Sequence, residues 1–170
     1  MKSPICLTML ALVITAAHAD DRVSLPENYR DSFVEYLSLD RVQNHDQFIR
    51  LFANKIALRG PDKNGELGSG AVLVGEVYSV RKDADGAVLT SRLNRRIKDK
   101  LLLIAVMEKQ DQFGDKPRSE INVGDWDFAA YKPDGSSANK SLDDCRACHQ
   151  PLSDSDFVFS LKHLPQGMTH

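Results

Sequence analysis

From residue 24 onward the apolar positions first recur at helical spacing and later at strand spacing. Ser24-Leu25-Pro26-Glu27 is a capping box with proline in the first turn, and Tyr29, Phe33 and Leu37 follow four apart. This predicts a first amphipathic helix. Residues 44–46 offer another N-cap, after which Phe48, Leu51, Phe52 and Ile56 share a helical face until Gly60-Pro61. A second helix is expected there. Residues 61–70 have loop composition, and then the period changes. Residues 71–80 are rich in Val and Leu and predict a strand; Asp85-Gly86 signals a turn, with residues 87–93 returning as its partner. Residues 101–107 are seven apolar residues in a row, a strand buried on both faces or a short core helix, and the charged linkers close on either side favour the strand. Residues 125–131 alternate, with Trp126, Phe128 and Ala130 on one face and Asp125 and Asp127 on the other, before the turn Lys132-Pro133-Asp134-Gly135. No internal repeat and no second domain interrupt this order.

Composition narrows the class. The chain has 170 residues, 42% hydrophobic and 27% charged, which suits one globular domain and excludes a disordered or collagen-like chain. Lys2, the apolar residues 5–17 and the small-x-small triplet Ala17-His18-Ala19 read as a secretory signal, cleaved after Ala19. The apolar stretch falls short of the roughly 20 residues that span a bilayer. Residues 1–19 are therefore expected to be a signal peptide, and residues 20–170 a single soluble domain exported to the periplasm with no membrane attachment after cleavage. Loss of Lys2 leaves 21 of the 22 basic residues against 24 acidic ones, which argues against nucleic acid as a partner. Of the three cysteines, Cys6 leaves with the signal. Cys145 and Cys148 remain.

The chemistry lies in Cys145-Arg146-Ala147-Cys148-His149, the Cys-x-x-Cys-His attachment signature of a c-type haem. Two thiols three positions apart on a helical turn can each add across one haem vinyl group, and the next residue offers an imidazole to the iron. Ser141 is a candidate N-cap for that helix, Pro151 a candidate stop, and His149 the expected proximal axial ligand, with its other ring nitrogen free to take a tuning hydrogen bond. A structural zinc site would want a second cysteine pair, and a thioredoxin-like pair would follow an early strand of a βαβ unit. Neither context is present.

Haem function turns on the sixth coordination position, closed by a strong ligand in electron carriers and left open in sensors and oxidases. The candidates are Met107, Met168, His45, His163, His170 and the lysines. Met107 lies in an apolar run and reads as core, Met168, His163 and His170 belong to a tail, and His45 reads as surface. The sequence thus points to an open site. A small electron-transfer cytochrome c carries its motif near the N-terminus, and a four-helix cytochrome c′ needs four long helical patterns. This chain has neither order.

Leu25-Pro26-Glu27-Asn28-Tyr29-Arg30, Ala71-Val72-Leu73-Val74 with Glu76, Trp126-x-Phe128 with Tyr131, and Asp156-Phe157-Val158-Phe159 after the haem motif resemble the cytochrome P-460 family and its relatives, the cytochromes c′-beta. The resemblance implies an α+β fold, mainly antiparallel β-sheet with packed helices, with one covalent haem c on a short C-terminal helix. It also implies a homodimer and a five-coordinate iron. Two activities divide the family: oxidation of hydroxylamine, and binding of small gases such as nitric oxide or carbon monoxide. In the oxidising members a lysine directly after the Val-Leu-Val strand bonds to the porphyrin rim. The matching position here is Gly75, which favours gas binding over hydroxylamine or nitric oxide oxidation, with electron transfer as a further alternative. Glycine there allows close approach of a flat ligand or, alternatively, marks a bulge. Lys63 and Lys82 flank the strand, match no family position and read as solvated charges. Phe48, Phe52, Leu73, Gly75 and Phe128 are the candidates for a distal pocket. The basic run Arg92, Arg95, Arg96, Lys98 and Lys100 is a solvated loop or a contact for haem propionates or an acidic periplasmic redox partner.

Overall fold

The computed structural model describes residues 22–165. The signal segment, Cys6, Met168 and His170 lie outside the described residues. Five strands, β1 (Val34–Asp40), β2 (Gln47–Ala53), β3 (Val72–Val80), β4 (Lys98–Lys109) and β5 (Trp126–Tyr131), form one sheet in sequence order, each antiparallel to the next. Helix is sparse. One turn, α1 (Tyr29–Ser32), precedes the sheet, and α2 (Asp143–His149) follows it. Among the described residues no helix is long and apolar enough to cross a membrane.

The two expected N-terminal helices are corrected to strands. Asn28 in the left-handed region and Phe33 in extended conformation confine α1 to four residues, and β1 begins at once. In the second segment, Phe48 and Phe52 are four apart, and four is even, so a strand places them on one face as readily as a helix does. Their neighbours Ile49 and Leu51 are apolar too, because the strand meets apolar groups on both faces. Such a strand imitates a helical stripe.

The three later strands form where the apolar runs and the alternation at 125–131 predict them, with β4 extending further than its apolar run. The expected return strand at 87–93 is not formed. Residues 81–97 make an excursion held by the isolated bridges Lys82↔Val88 and Thr90↔Arg96, and β3 takes β4 as its partner instead. Thr90, Ser91 and Arg92 have no apolar face to bury, whereas residues 101–107 do.

Register assigns residues to faces. Val34, Ala53, Leu73, Met107 and Phe128 lie in one row across all five strands, and Leu37, Leu51, Gly75, Ala105 and Ala130 in the next row on that face. Apart from the exposed Val34, the first row joins Trp126, Val158 and Leu164 in a core cluster, whereas Leu37, Leu51 and Ala105 remain half-buried. The opposite face carries Phe52, Val74, Val106 and Ala129, covered by Val23 and Tyr29. Pairing runs without interruption through Gly75; the irregularities of this ladder lie beyond Val77. Gly75 is therefore no bulge.

On that opposite face Glu76 has no solvent exposure. Its carboxylate accepts hydrogen bonds from Tyr29 Oη at 2.8 Å, Tyr78 Oη at 2.6 Å, Arg30 Nε at 2.6 Å and Arg50 Nη1 at 3.3 Å. Burial pushes its pKa up, but the hydrogen bonds from Tyr78, Tyr29 and Arg30 outweigh burial and hold it below the ordinary glutamate value. A depressed folded pKa means that the stabilisation is complete above the pKa of the unfolded chain and is lost as pH falls through the folded one. Glu76→Gln is expected to cost about 2 kcal/mol at neutral pH and to flatten this acid dependence. Urea unfolding at neutral pH and across the carboxylate range measures both.

Candidate functional site

Asp143 and Asp144 in its first turn and Arg146 and His149 in its last suit the dipole of α2. Ser141 does not cap it; the N-cap is Leu142, without a side-chain hydrogen bond. Nor does Pro151 stop the chain's winding, since a 3-10 segment, Gln150–Ser155, continues directly with proline in its first turn, where a missing N–H costs little.

Leu142 and Cys145 pack on the cluster of Leu73, Met107 and Phe128, seating α2 on that face of the sheet. Arg146, unremarked within the motif, fixes the other side. It is 6% exposed, with Nη2 donating to Asp127 Oδ1 at 2.6 Å and Nη1 to Asp143 Oδ1 at 2.9 Å. Arg22 Nε lies 3.2 Å from the other oxygen of Asp127. The alternation of β5 puts Asp127 on the face away from Phe128, yet it is buried at 4% exposure, because α2 and the N-terminal segment close over it.

Both motif cysteines are free thiols, Cys145 half-buried and Cys148 exposed. Burial, and after it the nearby Asp144 carboxylate, pushes the Cys145 thiol up. That is opposite to what a nucleophilic redox cysteine needs. Among the described residues no three or more His, Cys, Asp or Glu side chains cluster as a metal site would require.

His149 stands between two aromatic rings, Phe128 at 5.0 Å and 59° and Phe159 at 5.0 Å and 79° between planes. Its Nδ1–H donates to the carbonyl of Phe157 at 2.7 Å, since a carbonyl can only accept. Burial lowers its pKa, against a smaller opposing effect of that hydrogen bond, and so favours the neutral ring. Nε2 makes no hydrogen bond among the described residues, and Phe159 beside it is 48% exposed. These residues fit a covalently held haem: two free thiols one turn apart, a neutral imidazole oriented through one nitrogen, and half-buried apolar sheet beside them. Two surface cavities, of about 390 and 710 Å³, lie elsewhere, the first around Leu25 and Pro133 and the second around Phe113 and Trp126. Neither is lined by Cys145, Cys148 or His149.

The distal candidates divide between the two faces. Leu73, Gly75 and Phe128 share the face that α2 covers at one end, whereas Phe48 and Phe52 lie on the other with Tyr78 and Tyr29. Side chains of Leu51 and Ile49 flank Gly75, 3.4 and 3.5 Å from where a Cβ would stand. Met107 is core at 8% exposure, His45 and His163 are exposed, Lys63 is exposed in its loop, and Lys82 pairs with Asp46 at 2.6 Å. Part of the basic run is held by contacts, with Arg96 half-buried and Arg95 and Lys98 exposed. Arg95 binds Asp40 and the Ser38 carbonyl, Arg96 Nη1 reaches the carbonyls of Arg41, Asn44 and Gln47, and Lys98 lies 4.6 Å from the centre of the Tyr78 ring. The Arg95 and Arg96 contacts strap the 81–97 excursion to β1 and the β1–β2 turn. Arg92 and Lys100 remain exposed.

Sequence reasoning gave no role to Lys109 or Arg146, placed Asp127 on the polar face of its strand, and named Asp156 only within the family resemblance. A charge at the end of an apolar run reads as the point where the chain meets water, and nothing local contradicts that reading.

No curated protein matches the chain at a significant level. The sequence model of the family described as Cytochrome P460 matches residues 26–160, a span that contains the whole sheet, α2 and the aromatic tail against His149. The chain therefore belongs to the cytochrome P460 family, a family of c-type haem proteins.

Proposed function

We propose that the protein is an exported cytochrome with a single covalent haem c, open on its distal side, that binds nitric oxide or carbon monoxide. The observation that carries this is the setting of His149: its ring is fixed through Nδ1, has no hydrogen bond at Nε2 among the described residues, and follows one free thiol by one residue and another by four. Cys145 and Cys148 hold the group by thioether bonds, and His149 Nε2 is the proximal ligand. When bound, the haem supplies an iron with one position left for a diatomic ligand. Leu73, Gly75 and Phe128 form the apolar surface beside it and exclude water from the bound gas. Phe48 and Phe52 have no part in this surface. Cleavage after Ala19 and a homodimer in the periplasm complete the reading.

Gly75 supports this reading over hydroxylamine oxidation. Glycine has no side chain to bond a porphyrin rim, and in-register pairing leaves Leu51 and Ile49 as its same-face neighbours. The expected reduced spectrum is that of ordinary high-spin haem c, shifting on addition of carbon monoxide, with peptide mapping finding haem only on the peptide of Cys145 and Cys148. A strongly red-shifted Soret band with a second, lysine-bearing haem peptide would restore the oxidase. A low-spin spectrum indifferent to carbon monoxide would indicate an electron carrier with Met107 or His45 as ligand.

A further inference from the structure

The hydrogen bond on His149 comes from backbone that would not take its conformation alone. Asp156 and Phe157 are consecutive non-glycine residues in the left-handed region, at φ 50° and 58°. Such residues persist there when their surroundings over-determine them. Both are clamped. The Asp156 carboxylate, in a residue 6% exposed, accepts from Lys109 Nζ at 2.7 Å through one oxygen and from the Leu67 N–H at 2.8 Å through the other. The Phe157 ring lies against Gly124, whose φ of 61° and missing Cβ leave it room; a Cβ there would stand 3.0 Å from Cε2 of the ring. Between these clamps, the carbonyl of Phe157 meets His149 Nδ1.

Lys109 is the last residue of β4, paired with Trp126, and is 7% exposed. Glu66 is its second carboxylate, at 3.3 Å, and the Trp126 ring centre lies 5.9 Å from Nζ. A buried ion pair is a weak device for stability alone, since apolar residues of similar volume often serve as well. It is a strong device for direction.

We propose that Lys109 and Asp156 are positioning residues for His149: the pair holds the Phe157 carbonyl on Nδ1 and so sets how strongly Nε2 donates to iron. This rests on the reading of His149 as the iron ligand. A well-placed acceptor draws the Nδ1 proton, enriches the ring and makes Nε2 a stronger base, which favours ferric over ferrous iron. Asp156 and Lys109 touch neither the iron nor its ligand, and they act through one carbonyl.

The test uses ferrous holoprotein, reading the iron–imidazole stretching band by resonance Raman and the reduction potential by titration. Lys109→Met and Asp156→Gly each remove the clamp, and the glycine retains access to the left-handed backbone. Each is expected to lower the band and raise the potential by about 59 mV, a tenfold change in ferric over ferrous preference. Lys109→Arg should restore both readings, and the Lys109→Met/Asp156→Gly double variant should shift no further than either single one, because the two act as a unit. Asp156→Asn keeps an acceptor for Leu67 and tolerates the left-handed region, so it should fold even where the others do not and give a smaller shift of the same sign. Folded variants with the wild-type band and potential, or single shifts that simply add, would overturn the positioning role. Wild-type protein without any iron–imidazole band would overturn the ligand reading and the positioning role with it.

Discussion

Replacing Cys145 and Cys148 together by Ala will yield protein that surrenders all of its haem to acid–acetone, whereas the unsubstituted protein will keep haem in the precipitate. Beyond Cys6 the two thiols are the only cysteines in the sequence, and they lie one helical turn apart, unpaired. Single variants should retain one thioether and remain coloured after extraction. His149→Ala leaves both thiols in place, so attachment should survive while the native ligand-field spectrum disappears. These outcomes separate the bond that retains the group from the bond that sets its electronics. Haem in the organic phase from matured unsubstituted protein would overturn the covalent assignment, and an unchanged spectrum in His149→Ala would overturn the axial one.

Asp127→Ala will destabilise the fold by about 3–5 kcal/mol, the cost of leaving a buried cation uncompensated. Arg146 and Asp127 have side-chain exposures of 8% and 6%, so solvent screens them little. The remaining partner of Arg146, Asp143, is 54% exposed and cannot replace Asp127. The double variant Asp127→Val/Arg146→Met should lose less than Asp127→Ala alone, since apolar residues of similar size relieve the desolvation that the pair offsets. Urea unfolding of both proteins measures the difference. Losses that rise from the single to the double variant would show the two residues acting independently. Because Arg146 lies between the cysteines, Asp127→Ala should also lower the fraction of protein recovered with haem attached.

What could be read along the chain depended on how far each interaction reaches. The haem motif was legible because its chemistry is local: thiol, thiol and imidazole fall within five consecutive residues and one helical turn. β3, β4 and β5 were legible because an alternating or continuous apolar run is set by the strand's own neighbours. β1 and β2 were not. In β2, residues apolar on both faces satisfy four-residue spacing as well as a helix does, and only pairing with β3 decides between them. The spurious return strand at 87–93 failed for the same reason in reverse, since a turn signal says where a chain reverses and not which segment it will pair with.

By itself, then, the sequence pointed to a haem cofactor and to the strand-forming middle of the chain, and its motifs carried the family resemblance. The tertiary structure alone decided which face of the sheet faces α2. That put Leu73, Gly75 and Phe128 on the face that α2 covers and Phe48 and Phe52 on the other. It also decided the partners of the buried charges: Asp127 with Arg146 across 19 residues, and Lys109 with Asp156 across 47. A charge at the end of a strand carries no local mark of being buried. Its burial depends on the register of the sheet and on which distant segment folds over it, and both come from contacts that no window along the chain contains.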